Sequence, residues 1–196
     1  MKVRNIVEYA TVVGGLAALL LASSPNKGLA QNPRLDRLNQ YLEAGDYKGF
    51  NEEVSSEIKP LIDQVIEMMR SNGYCSKNKA GSSTNPFAGD PREEEYCNSY
   101  GSSKGLPDIF GKVNVQFDQQ KILGTGQKFS AIRIRDEETG ATIEDRGANG
   151  LRLNEGDHYM LQEPPIRRSE AAKVLTEFND GYKYLLNKII STYKRK

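Results

Sequence analysis

The 196-residue chain has no tryptophan, one histidine and two cysteines, and its charges nearly cancel, with 27 Lys and Arg against 26 Asp and Glu. A single histidine, His158, rules out a multi-histidine metal centre. Two cysteines are too few for a four-cysteine zinc site or a disulfide-dense mini-protein. A net charge of +1 provides no long-range basic field, which argues against a protein that coats nucleic acid. No Gly-x-Ser-x-Gly nucleophile elbow is present. Gly124-Thr125-Gly126-Gln127-Lys128 resembles a phosphate loop only superficially. It lacks the Gly-Lys-Ser/Thr ending and leads into a strand pattern, so no helix N-terminus would face a phosphate. No internal repeat is visible. The 37% of hydrophobic residues suffice for one folded core, and the length suits one domain with a terminal appendage.

The first thirty residues stand apart. Lys2 and Arg4 make a short basic start, and residues 10–22 are almost wholly apolar. That run suits the central region of a secretory signal and falls short of the roughly 20 residues of a comfortable membrane span. Gly28 and Ala30, followed by Gln31, match a small-x-small cleavage site. Residues 1–30 are therefore read as a signal peptide, or as an uncleaved N-terminal anchor touching the membrane through residues 6–24. Gly14-Gly15 and the lack of polar punctuation fit a buried core helix poorly. Either reading exports residues 31–196. That remainder holds 24 basic and 25 acidic residues, so it too is electrically balanced.

Periodicity organises the rest. Leu35, Leu38, Tyr41 and Leu42 predict a helix over 33–44, stopped by Gly45. Asp46 caps a second one, with Tyr47, Phe50, Val54, Ile58, Leu61, Val65 and Met68 or Met69 at helical spacing; Pro60 kinks or restarts it. The methionines read as core filler. Residues 74–108 are rich in turn formers and predict one long loop. From Val113 the period is two: Val113, Val115 and Phe117, then Ile132 and Ile134, then a returning strand over 141–144. Two more short strands are predicted at 151–153 and 158–161. Ser169 caps a final helix to about Tyr193, whose apolar face stays in phase across Asn179-Asp180-Gly181. The expectation is an α+β fold: N-terminal helices, a cysteine-bridged loop, an antiparallel sheet of about four or five strands, and a C-terminal helix on that sheet.

Few residues carry chemistry. Cys75 and Cys97 are expected to form a disulfide, given an oxidising destination, and their spacing is far from a Cys-x-x-Cys redox unit. Tyr74, Phe87, Tyr96 and Tyr100 surround that bridge and form the expected recognition surface, since aromatics bury area with few torsions to freeze. Asp145 through Gly150 carries part of a calcium-loop pattern but fails at its third and twelfth positions, so no metal site is assigned. The reading that follows is an exported, non-enzymatic binding module for a protein or a surface glycan, with no cofactor and no nucleic-acid partner. The alternative is an exported hydrolase using Asp145 and Glu163, assisted by His158. It requires those three side chains to converge in one pocket.

Overall fold

The computed structural model describes residues 32–81, 90–101, 105–160 and 168–195. Helix α1 is Pro33–Ala44, with proline in the first turn, where its missing N–H costs nothing. Asp46 accepts the Gly49 N–H at 2.9 Å and so caps α2, Tyr47–Ser55. The break before α3, Ile58–Ser71, falls at Ser56 and Glu57, which places Pro60 in the first turn of α3. The predicted restart occurs there because a proline cannot sit deeper in a helix without losing a hydrogen bond. Ile58, Ile62, Val65, Ile66 and Met69 form the buried stripe of α3. Each such aliphatic side chain contributes about 2 kcal/mol by leaving water.

Six strands follow in an antiparallel meander, each paired with its sequence neighbours: β1 Cys75–Ala80, β2 Arg92–Asn98, β3 Val113–Ile122, β4 Lys128–Asp136, β5 Thr142–Arg146 and β6 His158–Tyr159. Helix α4, Arg168–Lys194, closes the described chain and packs on the sheet. The core lies between the helices and one sheet face: Val115, Phe117, Ile132, Ile134 and Ile143 of the sheet and Leu175, Tyr182, Leu186 and Ile189 of α4 are all buried. The α+β expectation holds, with one or two more strands than predicted.

Two predicted features are corrected. Residues 74–108 are not one long loop, because β1 and β2 build a hairpin within them. Nor do residues 151–153 form a strand. That segment is bound instead by side-chain amides from two helices. Asn179 of α4 accepts the Leu151 N–H at 3.0 Å and donates to the Leu151 carbonyl at 2.9 Å. Asn51 of α2 does the same for Leu153, at 2.9 and 3.2 Å. A primary amide offers a donor and an acceptor side by side, so it can replace a neighbouring strand for one residue.

Helix α4 runs through Asn179-Asp180-Gly181 without a break, and two of these residues have a packing reason. Asn179 makes the clamp just described, and a Cβ on Gly181 would meet the Tyr159 hydroxyl. Tyr159 is fixed there by stacking on Phe178, with ring centroids 4.9 Å apart.

Candidate functional site

The β1–β2 hairpin has little apolar material of its own, so its stability must come from elsewhere. Cys75 and Cys97 are directly opposed in the register and joined as a disulfide. Two residues further along β2, Glu95 is buried and receives a two-point contact from Arg70 of α3, at 2.9 and 2.6 Å. This charged fork is stronger than a neutral hydrogen bond and is partly shielded from water. The Arg70 hydrogen bond holds the Glu95 carboxyl below its ordinary range, against the opposing effect of burial. A covalent bond and an ion pair thus brace the base of the hairpin against α3.

Beyond that base the sheet runs past its helical cover. On the helix-facing side, the row Cys75, Cys97, Phe117, Ile132 is succeeded by Lys77, Glu95, Gln119, Ser130. The next row is Lys79, Glu93, Lys121, Lys128. Most residues of these polar rows, with Asn78 and Glu94, line an open cleft of about 560 Å³. Lys128 belongs to the Gly-Thr-Gly-Gln-Lys segment, which proves to be the tight turn joining β3 to β4.

The aromatic residues expected at this surface divide. Tyr96 projects from the opposite face of β2 and is 41% exposed. Tyr74 is only 6% exposed, and its hydroxyl donates to the Pro107 carbonyl at 2.5 Å. Its ring belongs to the core, so it is withdrawn from the recognition surface. Tyr100 is half-buried, and its hydrogen bond to Glu137, with burial, pushes its hydroxyl up to about 12. Phe87 lies outside the described residues.

The hydrolase constellation does not assemble from the residues described. Strand β5 places Asp145 on the helix side, two residues from Ile143. His158 pairs with Glu144 and therefore points to the other face. Glu163 lies outside the described residues. Asp145 is fully buried and accepts the N–H groups of Asn149 and Gly150 at 3.2 and 2.8 Å. This explains the partial calcium-loop pattern, because an aspartate ahead of Asn-Gly is holding its own loop closed. Asp157, also buried, accepts the backbone N–H groups of Arg146 and Arg152 at 2.7 and 2.8 Å. Burial first, and then the neighbouring Asp145 charge, raises the Asp157 carboxyl to about 7. The Tyr182 hydroxyl is fully buried beside Asp145, and burial first, then the Asp145 charge, pushes it well above its ordinary range. These groups order a loop and show no opening toward a substrate.

Cys75, Glu95 and Cys97 bring potential metal-ligand atoms within 4.8 Å of one another. The two sulfurs are bonded to each other and Glu95 is held by Arg70, so the set offers no thiolate and no available carboxylate. Sequence reasoning did not single out Arg70, Asn51, Lys77, Lys79 or Lys121, and it gave Asn179 and Lys128 no role. Only the alternation of Lys77 with Lys79 hinted at the cleft, and polar alternation carries no hydrophobic signal. Comparison with protein-family models, with curated proteins and with solved structures finds no match to this chain.

Proposed function

We infer that the chain is an exported, non-enzymatic binding module whose recognition surface is the braced β1–β2 hairpin and the strands beside it. One observation carries this reading. Among the described residues, Lys77, Asn78 and Lys79 of the hairpin are exposed, yet its base is fixed by a disulfide and a half-buried ion pair. Bracing an element that packing does not hold limits the ordering cost when a ligand binds. A disulfide indicates an oxidising environment, which agrees with export through residues 1–30 as a signal peptide or an anchor. Among the described residues no helix is long and apolar enough to cross a membrane.

The ligand is a protein or a glycan of the cell surface. Binding of the full chain to fractionated envelope polysaccharide and protein tests the reading. Tyr96→Ala is expected to weaken binding. Tyr184→Ala, which removes a 68% exposed ring on α4, is expected to leave it unchanged. Absence of binding to any fraction, or equal loss in both variants, would refute the assignment.

A further inference from the structure

We propose that the helix-side face of the hairpin end binds an anionic polysaccharide, one bearing uronate or sulfate groups. This deepens the binding-module reading and rests on it. Four lysines, Lys77, Lys79, Lys121 and Lys128, line one cleft of about 560 Å³. Three carboxylates share that lining, Glu93, Glu94 and Glu95. Glu95 is already engaged by Arg70, and Glu94 by Arg92 at 2.5 Å. Lys77 reaches Glu95 only at 3.8 Å, and Lys79 reaches Glu93 only at 4.0 Å. Lys121 and Lys128 stand directly opposite each other, and neither has an ion pair among the described residues. Like charges facing each other across a strand pair destabilise a sheet. An anion lying between them would remove that repulsion.

The remaining chemistry selects the occupant. Gln119, two residues before Lys121 on β3, lines the cleft and supplies an amide, which donates to the hydroxyl of the neighbouring Ser130 at 3.2 Å. Among the described residues no aliphatic or aromatic side chain lines the cleft. A protein partner would want a desolvated apolar anchor, and a membrane would want an apolar face to insert. An open cleft lined by four lysines and amide groups instead suits a polar chain carrying repeated negative charges.

The test uses the purified, oxidised full chain and heparin as the probe, with dextran, single-stranded DNA and phosphatidylglycerol vesicles beside it. Heparin is expected to bind with affinity that falls as salt rises, and dextran not to bind. Lys121→Gln with Lys128→Gln is expected to weaken heparin binding about tenfold or more. Arg133→Gln with Arg146→Gln, on the opposite face, is expected to leave affinity within about twofold. The proposal is overturned if heparin does not bind or if the lysine pair has no effect. It is also overturned if DNA or vesicles bind as tightly and lose affinity with the same lysines. Envelope binding that depends on Tyr96 but not on these lysines would retain the binding module and remove this ligand class. No binding of either kind would remove both.

Discussion

The two amide clamps on residues 151–153 use the same chemistry at different depths, and that contrast gives a quantitative prediction. Asn179 is 3% exposed and makes three hydrogen bonds, two to Leu151 and one to the Leu175 carbonyl. Asn179→Ala leaves the Leu151 N–H and carbonyl facing the α4 side with no partner and no water. A buried orphaned polar group costs about 1–3 kcal/mol, so the pair should cost about 3 kcal/mol after relaxation. Asn51 makes two corresponding bonds to Leu153 but borders an open cleft of about 420 Å³, where water can replace the lost amide. Asn51→Ala should therefore cost about 1 kcal/mol or less. Both substitutions gain a similar helix propensity, roughly half a kcal/mol, which cancels in the comparison. Urea unfolding of the oxidised chain, analysed at constant m-value, measures the difference. Equal costs, or a larger cost at Asn51, would refute the argument that burial sets the strength of these clamps.

Three further outcomes follow from the same structure. Replacing both cysteines by serine frees a loop with a sequence separation of 22 and should cost about 3 kcal/mol by chain entropy; unchanged urea stability would contradict it. The pH dependence of stability should have a descending limb above mild acidity. Burial raises the carboxyls of Asp145 and Asp157, so their contribution is complete below the ordinary aspartate range; that of Asp157 is lost as pH rises through about 7. Glu95 is lowered by Arg70, so its contribution is present above the ordinary glutamate range and is lost toward strong acid. Melting temperatures of wild type and Asp157→Asn between pH 5 and 9 check this, and an equally steep fall in the variant would sink it. Finally, Gly150 has a φ of +99°, and a Cβ there would lie 2.5 Å from the Ser55 Cβ. Gly150→Ala should cost about 2 kcal/mol or more from strain and overlap, measurable in the same urea assay.

How far residues alone could be read depends on what each segment packs against. Strands β3, β4 and β5 and helices α1, α3 and α4 each bury one face, so apolar residues recur with the period of their geometry. Strands β1 and β2 escaped because Lys77, Lys79 and Glu93 lie beyond the helical cover and leave no apolar alternation to read. The reverse error arose at residues 151–153, where Leu, Arg and Leu alternate correctly but pair with Asn51 and Asn179, over a hundred residues apart. Asp145 was visible as a carboxylate of interest but not in its role: it shares the buried face of β5 with Ile143, where two loop N–H groups meet it. The disulfide was readable from two cysteines in a turn-rich segment, whereas its ionic companion, Arg70 with Glu95, links positions 25 apart with no local signature.

The most direct test of the central claim, an exported chain with a covalently braced hairpin, is the intact mass of the native protein, prepared without reductant from each cellular fraction. The account predicts an extracytoplasmic species two mass units lighter than its fully reduced form. It would begin at Gln31 if the leader is cleaved, or be full-length and membrane-bound if the leader is an anchor. A full-length cytosolic species with both thiols free would contradict the account.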